Sequence, residues 1–331
     1  KIISNSHAIE AVLKVNRTFM TITQLQYVIA VAAYKNFTLA AEKSFVTQPT
    51  LSMQVQKLEE ELDVILFDRS KKPLEITEVG AKIIAQAKNI VNEASRIKDI
   101  VEQDKGFVGG VFVLGIIPTI MPTLLPMFLK NFINKYPEVN LIIKEQNTDQ
   151  LIESLKDGSI DAAIAATPLE NEELQEKPLY YEPFVGYVPK EHRLHKQAQL
   201  KAEDLDLSEV LLLRDGHCFR DGIINLCQAS KNNKTDHFQL QSGSFETLVH
   251  LADEGLGMTL LPYLNTLDLN PNKQKSLRHF KAPSPAREVS LIYHKRGLKA
   301  QITEALHEVI SGVVRGAITL QDVKIISPLP L

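Results

Sequence analysis

Two cysteines, Cys218 and Cys227, lie nine positions apart and are the only cysteines among the 331 residues. A cysteine reacts as its thiolate, which a nearby imidazole, guanidinium or helix N-terminus favours. His217 and Arg220 flank Cys218, whereas Cys227 has apolar neighbours and no adjacent basic residue. The pair therefore has the layout of a thiol that can be activated and a second thiol kept apart from it.

The spacing of the two cysteines limits how they can react with each other. On one continuous helix they would lie about 13.5 Å apart along the axis, whereas a disulfide needs Cα atoms within about 7 Å. A bridge therefore requires the segment between them to unwind or to be a loop. Composition and spacing alone favour two ordinary buried cysteines, and the spacing fits no usual Cys/His metal site.

The composition is that of a soluble globular protein long enough for two domains. Hydrophobic residues make up 44% and charged residues 23%, and the formal net charge of −3 gives no global sign of nucleic-acid binding. Two cysteines do not form a secreted disulfide scaffold, and we see no export signal, so a reducing cytoplasm is predicted. Residues 1–19 are expected to be a leader outside a fold that begins at Met20.

An uncharged stretch at 106–129 has about the length of a membrane-spanning helix. However, Pro118, Pro122 and Pro126 interrupt it, and each proline inside a helix costs about 3 kcal/mol. A buried strand at Val111–Ile116 followed by a turn and a short helix fits the stretch better. We therefore predict that the protein has no membrane partner.

Three short, closely spaced helices are predicted over residues 20–80. Thr47 is placed as the N-cap of the third helix, with Pro49 in its first turn. A basic segment and a short strand follow, which completes the pattern of a winged helix-turn-helix. Leu25, Val28, Ile29 and Ala32 form the apolar stripe of the first helix, and Leu51, Val55, Leu58 and Leu62 form that of the third. Leu39, Ala40 and Phe45 are assigned to the short second helix.

The outward face of the third helix and the basic segment carry side chains suited to DNA. Gln, Ser and Thr can hydrogen-bond base edges, and Lys and Arg can contact phosphates. Six basic against eight acidic residues over 20–80 leave a helical protein-interaction module as an open alternative. The predicted DNA-binding residues are Thr47, Gln48, Pro49, Thr50, Ser52, Gln54, Lys57, Arg69, Lys71 and Lys72.

Residues 78–104 are predicted to form one long helix with an apolar stripe from Ile83 to Val101. No globular neighbour for this stripe is obvious in the sequence, so a partner helix of a second subunit is expected to cover it. Packing of the stripe on its own chain is the alternative.

From Gly110 onward, predicted strands alternate with helices, which is the βαβ pattern of a parallel sheet. A second region begins near Phe184, so two α/β lobes with a cleft between them are predicted. The strands are placed at Val111–Ile116, Val139–Glu145, Ile160–Ala165, Val210–Leu213, Met258–Leu261 and Val289–Tyr293, and the helices at Met121–Lys135, Gln150–Lys156, Leu248–Gly255 and Ala300–Val314.

Ordered motifs in the first part of the chain resemble the N-terminal signature of LysR-type transcriptional regulators. They are FTLAAE at 37–42, VTQPTLS at 46–52, KLEEEL at 57–62 and LFDR at 66–69, with TEVG at 77–80. One departure is Gln56, where many members carry a basic residue.

The resemblance implies an architecture for the whole chain. It consists of an N-terminal winged helix-turn-helix at 20–77, a dimerising linker helix at 78–106 and a two-lobed α/β, periplasmic-binding-protein-like effector domain at 107–320. Lobe I would comprise 107–183 and 284–320, and lobe II 184–283. Members of the family are commonly assembled as tetramers.

The cysteine segment resembles the peroxide-sensing, OxyR-like branch of this family through Asp215-Gly216-His217-Cys218, Arg220-Asp221 and Cys227. The resemblance implies that Cys218 is the peroxidatic cysteine and Cys227 the resolving one. Phe219 and Gly222 depart from the residues expected in that segment. The implied peroxide pocket is Thr119, Thr148, His217, Arg220, Asp221 and Arg287.

By this resemblance, hydrogen peroxide oxidises Cys218 to a sulfenic acid, which condenses with Cys227 to a disulfide that a cellular thiol reductant reverses. Subunit contacts, promoter DNA binding and transcription of oxidative-stress genes by RNA polymerase would change as a result. No enzyme activity, cofactor or metal is implied. The alternatives are a LysR-type regulator of a small metabolite with inert cysteines, a thiol peroxidase, which has no use for residues 20–80, and a solute receptor, which needs an export signal.

Overall fold

The structure is a computed structural model that describes residues 20–104, 108–227, 242–295, 297, 299–318 and 322–329. The predicted leader, 1–19, lies outside the described residues. The chain divides into two compact units, with the boundary between Ile100 and Val101. Each unit is described separately.

The N-terminal unit is a winged helix-turn-helix, as predicted. Its helices are α1 (Ile22–Tyr34), α2 (Phe37–Lys43) and α3 (Gln48–Leu62), followed by an antiparallel hairpin of β1 (Phe67–Asp68) and β2 (Glu75–Ile76). The Thr47 side chain accepts a hydrogen bond from the Thr50 backbone N–H, so Thr47 is the N-cap of α3 as its sequence position indicates. The sequence pattern assigns Phe45 to the second helix, but α2 ends at Lys43, and Phe45 lies in the following turn with φ +55° and is 95% exposed.

The long helix α4 (Glu78–Asp104) begins directly after the wing. A Cβ at Gly80 would lie 2.3 Å from the Leu66 carbonyl oxygen, so only glycine allows the helix to start this close. Ile84 and Ala87 are buried in the winged-helix core, which corrects the expectation that the stripe lacks a neighbour in its own chain. Farther along the stripe, Ile97 is 66% exposed.

The second unit contains a parallel βαβ arrangement, as predicted. It comprises β3 (Gly110–Ile116), α5 (Met121–Lys135), β4 (Val139–Glu145), α6 (Thr148–Lys156) and β5 (Ala162–Thr167), and β3 pairs in parallel with both β4 and β5. A Cβ at Gly115 would lie 2.2 Å from a Leu151 methyl carbon, so this glycine lets α6 pack closely on the sheet. Within the described residues, no helix is long and apolar enough to cross a membrane.

Two long antiparallel strands, β6 (Leu174–Tyr187) and β9 (Ser284–His294), connect two sheets. The end of β6, from Phe184 to Tyr187, leaves β9 and pairs instead with β7 (Thr259–Pro262) and β8 (Leu277–His279). The described chain also contains the helices α7 (Cys218–Leu226), α8 (Phe245–Asp253), α9 (Tyr263–Leu267), α10 (Pro271–Gln274) and α11 (Ala300–Arg315), the strand β10 (Val323–Ile325), and 3₁₀ helices at Arg193–Lys196, Ala202–Asp204 and Leu207–Glu209.

Two hydrophobic cores result, and we call them the lobe I and lobe II cores. The lobe I core includes Phe112, Phe128 and Leu306, and the lobe II core includes Tyr187 and Leu260. This is the predicted two-lobed α/β architecture. The segment 210–213, which we predicted as a strand, forms only an isolated bridge between Val210 and Met258 and is not extended into a ladder.

Candidate functional site

The cysteines occupy the two ends of one helix. Cys218 is the first residue of α7 and Cys227 is its C-cap, so about 13.5 Å separates them along the axis. Both thiols are free and buried. Cys218 belongs to the lobe I core and Cys227 to the lobe II core, so the helix joins the two lobes.

Polar and charged groups surround the Cys218 sulfur. Burial raises the pKa of the Cys218 thiol, and the positive charge of Arg287 is the largest influence that lowers this pKa again. The Thr148 hydroxyl and the backbone N–H of Ala166 also hydrogen-bond the sulfur and lower its pKa. Cys218 also lies at a helix N-terminus, where the backbone dipoles favour an anion. These groups offset part of the effect of burial, although the pKa of Cys218 stays above its ordinary value.

Arg287 is held in place by an anchored network. Its Nε and Nη2 atoms donate to Oε2 of Glu182 at 2.9 and 2.7 Å, and its Nη1 donates to Oγ1 of Thr119 at 3.1 Å. Glu182 is fully buried, and its Oε1 accepts from the Leu264 backbone N–H at 2.9 Å. The guanidinium also lies 5.3 Å from the centre of the Phe219 ring. The cation is therefore fixed by the fold.

The structure brings three of the six predicted pocket residues together around the sulfur: Thr148 and Arg287 act on it directly, and Thr119 holds Arg287. His217 is buried at the N-cap of α7, where burial and the positive charge of Arg214 lower its pKa, so it is a neutral imidazole at pH 7. The charge that acts on Cys218 therefore comes from a strand distant in sequence.

Arg220 and Asp221 lie at the start of α7 and take no part in the hydrogen bonds that hold Arg287. Arg220 donates from Nε to Oδ1 of Asp215 at 2.9 Å, and from Nη1 to the Leu213 carbonyl oxygen at 3.4 Å. Burial raises the pKa of Asp221, with Arg220 lowering it and Asp149 raising it further. Arg220 thus holds the helix N-terminus through Asp215 and Leu213, whereas the negative charge of Asp221 raises the pKa of Cys218.

Cys227 has a different environment. Burial raises the pKa of its thiol to about 12, and the negative charge of Asp206 adds to the shift. It lies in the lobe II core together with Phe219 and Ile223. Among the residues that the structure describes, no cation lowers its pKa, so this thiol stays protonated at neutral pH.

The aromatic ring next to Cys218 anchors the helix in lobe II. Phe219 makes edge-to-face contacts with Phe184 and Phe245, at ring-centre distances of 5.0 and 5.1 Å. Such pairs stabilise a packed core by about 1 kcal/mol each beyond the apolar area they bury. Phe219 thus fixes the start of α7 in the lobe II core.

In the N-terminal unit, the predicted DNA-binding residues lie on α3 and on the hairpin that follows. Gln48, Pro49, Thr50 and Lys57 are exposed along α3, and Ser52 and Gln54 are half-buried there. The Arg69 side chain is exposed but also makes contacts within the unit. Its Nη2 lies 2.8 Å from Oε2 of Glu59, its Nη1 lies 3.4 Å from Ser52 Oγ, and its Cζ lies 4.8 Å from the centre of the Phe37 ring.

The wing carries the remaining predicted cations. Lys71 is paired with Glu75 at 2.6 Å, and Lys72 is exposed beside it. Glu59 also accepts from the backbone N–H groups of Leu66 and Phe67 at 2.8 and 3.3 Å, which fixes the wing against α3. The unit therefore presents one polar helix face flanked by a basic loop. In the part of the chain that the structure describes, no group of three metal-ligating side chains is found.

Comparison with known proteins matches both units to one family. Residues 22–81 match the bacterial regulatory helix-turn-helix protein, lysR family, and residues 105–314 match the LysR substrate binding domain. The chain belongs to the LysR family. It is therefore a DNA-binding transcription regulator and not an enzyme.

The relatives of this LysR-family regulator include peroxide-responsive proteins. It is 31% identical to the hydrogen peroxide-inducible genes activator of Haemophilus influenzae, over 90% of this chain and 99% of that one. It is 32% identical to the dual regulator OxyR of Escherichia coli K12, over 88% and 97%. The resemblance to LysR-type and OxyR-like proteins that the motifs indicated is confirmed.

Solved structures similar to this chain include OxyR proteins. A cysteine variant of full-length OxyR from Pseudomonas aeruginosa superposes with a TM-score of 0.73 at 33% identity, covering 89% of this chain and 95% of that one. A cysteine variant of OxyR from Corynebacterium glutamicum, described as hydrogen peroxide-bound, superposes with a TM-score of 0.58 at 30% identity, covering 92% and 98%.

Two residues of the site escaped sequence reasoning. Glu182 sits in β6, 105 positions from the arginine it binds, and nothing local marks it as a buried partner. Ala166 contributes only its backbone. The one available signal was the acidic residue between apolar ones in Tyr180–Val185, which is unusual for a buried strand.

Proposed function

We propose that this LysR-family regulator senses hydrogen peroxide through Cys218 and Cys227. The observation that carries the proposal is the placement of one buried thiol at a helix N-terminus, where Arg287 and Thr148 favour its thiolate, with the second thiol at the far end of the same helix. The similarity to hydrogen peroxide-inducible activators supports it. The pocket for peroxide is formed around Cys218 by Thr119, Thr148 and Arg287, with His217, Arg220 and Asp221 at the helix start.

The proposed reaction has two steps. The Cys218 thiolate attacks one peroxide oxygen, so an S–O bond forms, the O–O bond breaks and hydroxide leaves. The Cys227 sulfur then attacks the Cys218 sulfenic acid, so an S–S bond forms, the S–O bond breaks, and the oxygen leaves with the Cys227 proton as water. Arg287 stabilises the thiolate in the first step. A cellular thiol reductant reverses the disulfide.

The second step requires α7 to unwind. The cysteines lie about 13.5 Å apart along the helix, and a disulfide allows at most about 7 Å between Cα atoms. Because Phe219 and Ile223 pack in the lobe II core, their displacement would couple the bond to lobe packing. This coupling is how oxidation would change subunit contacts and the binding of promoter DNA, and through it the recruitment of RNA polymerase.

The proposal also includes self-association of the protein through the linker helix α4. The exposed position of Ile97 on α4 supports a dimer through the linker helix, with tetramers built from such dimers. Promoter DNA would contact α3 and the wing. Thr47 and Thr50 are the N-terminal polar residues of α3, and Gln48, Pro49, Ser52, Gln54, Lys57, Arg69, Lys71 and Lys72 complete the proposed surface.

Counting thiols tests the redox proposal. The reduced protein is treated with about one equivalent of hydrogen peroxide and its free thiols are counted. We expect loss of two thiols per chain, retention of the remaining thiol in Cys218→Ser, and a trappable sulfenic acid in Cys227→Ser. Unchanged thiols in the natural sequence would instead support a metabolite-responsive regulator with inert cysteines. Sustained peroxide turnover with added reductant would indicate a thiol peroxidase.

Titrating salt tests the DNA surface. Lys72→Ala should weaken promoter binding for all sequences and lower the slope of log affinity against log salt by about one, because one phosphate contact is lost. Gln48→Ala should weaken binding to the preferred sequence by about 1–3 kcal/mol. The exposed Lys190, in the second unit, supplies the matched control Lys190→Ala. Equal effects of all three variants would refute the placement of this surface.

A further inference from the structure

The C-terminal segment of the described chain, 322–329, packs against the cysteine helix. Its strand β10 pairs in parallel with β9, and the backbone N–H of Ile326 donates to the Ala286 carbonyl at 2.8 Å. Ile326 is buried in the lobe II core, which also contains Cys227 and Phe219. The segment therefore runs from the strand that carries Arg287 to the helix that carries both cysteines.

One side chain of the helix makes the link. Nδ2 of Asn225 donates to the carbonyl oxygens of Ser327 and Leu329 at 2.9 and 2.8 Å. One turn earlier on the same helix face, a Cβ at Gly222 would lie 3.8 Å from the Ser327 oxygen, so the segment passes within one side-chain atom of the helix there. The Ser327 hydroxyl accepts from the Leu329 N–H at 3.2 Å, which holds the two carbonyls in a turn around the amide.

These contacts lie between the two cysteines. Residues 219–226 must leave their helical positions before the sulfurs can meet, because the helix length exceeds what a disulfide spans. Any group that binds this stretch only in its helical form must be released at that step. Asn225 lies two residues before Cys227, so its hydrogen bonds resist the movement of the resolving thiol directly.

We infer that Asn225 is a positioning residue, which clamps the C-terminal segment to the cysteine helix and sets how fast Cys227 reaches the oxidised Cys218. This inference rests on the proposed function. The clamp acts after peroxide has reacted. It slows the step in which the S–S bond forms, the S–O bond of the sulfenic acid breaks and water leaves, and it leaves the first step unchanged because Cys218 and Arg287 lie at the other end of the helix.

Measuring the two steps separately tests the clamp. The full-length reduced protein is mixed with hydrogen peroxide, quenched at short times, and analysed by mass spectrometry for sulfenic acid trapped by a dimedone-type probe and for disulfide. In Asn225→Ala we expect disulfide formation to be about 25-fold faster, since two hydrogen bonds no longer have to break and each slows opening by roughly fivefold. Sulfenic acid formation should change by less than about twofold.

Two further variants test whether the hydrogen bonds of Asn225 cause the change in rate. Asn225→Asp keeps the size of the side chain but replaces its N–H donors with an acceptor, so it should also speed the second step. Removal of residues 327–331 deletes both acceptor carbonyls, and Asn225→Ala should then have no additional effect in the shortened chain. Asn131→Ala, an exposed asparagine on α5, is the matched helix control and should leave both steps unchanged.

The outcomes separate the two levels of the proposal. Absence of sulfenic acid and disulfide in the natural sequence would overturn the proposed function itself. Disulfide formation at equal rates in the natural sequence and Asn225→Ala would overturn the clamp alone. A change of similar size in both steps, or an independent effect of Asn225→Ala in the shortened chain, would also overturn it, because a general loss of stability would explain either result.

Discussion

The two ends of the cysteine helix differ in their surroundings although they share one regular element. At the Cys218 end, a fixed guanidinium, a threonine hydroxyl and a backbone N–H offset part of the effect of burial on the thiol pKa. At the Cys227 end, burial and the negative charge of Asp206 raise the thiol pKa to about 12. Both thiols are buried, so burial does not distinguish them.

The difference lies in what accompanies burial. A buried thiol with nearby donors and a cation can lose its proton, whereas a buried thiol without them is a small hydrophobic residue. The helix keeps the two thiols apart, because Cys218 at its start lies in the lobe I core and Cys227 at its end lies in the lobe II core. In the proposed reaction, the peroxide-reactive thiol and its resolving partner therefore need different neighbours and a helix between them that can unwind.

Removing the buried cation should give the largest effect, a loss of stability. Arg287→Gln leaves the fully buried Glu182 without its partner, so we expect the free energy of unfolding to fall by about 3–5 kcal/mol. Arg193, whose ion pair with Glu209 is largely exposed, is the control, and Arg193→Gln should cost less than about 1 kcal/mol. Urea denaturation measures both, and equal losses would show that Glu182 tolerates isolation.

Neutralising the anchor and the cation together should isolate the effect on reactivity. In the double variant Glu182→Gln with Arg287→Gln, the buried charge is gone, and the pKa of Cys218 rises because its largest lowering influence is lost. The thiolate fraction at pH 7 then falls, so peroxide should react about tenfold more slowly for each unit of pKa increase. The rate should recover as the pH is raised. A pH profile identical to that of the natural sequence would contradict this.

At the other end of the helix, raising the pH should lower the stability of the folded protein through the Cys227 thiol. The folded-state pKa of Cys227, about 12, lies above its ordinary value of 9.0, so its contribution to stability is full below pH 9 and is lost as the pH rises towards 12. Between pH 8 and pH 10 the reduced natural sequence should lose about 1 kcal/mol that Cys227→Ala does not lose. Urea denaturation at both pH values gives this difference. Parallel losses would mean that Cys227 is accessible to water.

The smallest effect concerns the hydroxyl beside Cys218. Thr148→Val removes a hydrogen bond that lowers the pKa of Cys218, so the pKa should rise and peroxide should react roughly fivefold more slowly at pH 7. Thr148→Ser keeps the hydroxyl and should react within about twofold of the natural sequence. Stopped-flow peroxide consumption compares them. If the serine and valine variants slow equally, the methyl group and not the hydroxyl matters.

Local patterns predicted many elements at their observed positions. Met121–Lys135 and Val139–Glu145 are found at their predicted bounds, and the capped helix after Thr47 forms as expected. These segments have strong apolar periods and clear end signals, so short-range information is sufficient. The strand β6 was not predicted, because Pro178 and Pro183 interrupt its alternation and proline is usually excluded from central strands. A register shift between Pro178 and Tyr180 accommodates the first of them.

The sequence by itself determined the class of protein through its motifs, which resemble those of LysR-type regulators. The winged helix-turn-helix and the unequal neighbours of the two cysteines follow from residue types at short spacings. Only the tertiary structure decided that the positive charge acting on Cys218 comes from Arg287 and that the C-terminal segment binds Asn225. Those pairs join positions more than 60 residues apart: Arg287 lies 69 residues beyond Cys218, and Leu329 lies 104 residues beyond Asn225. Such contacts depend on how strands and lobes pack, and no local pattern carries that information.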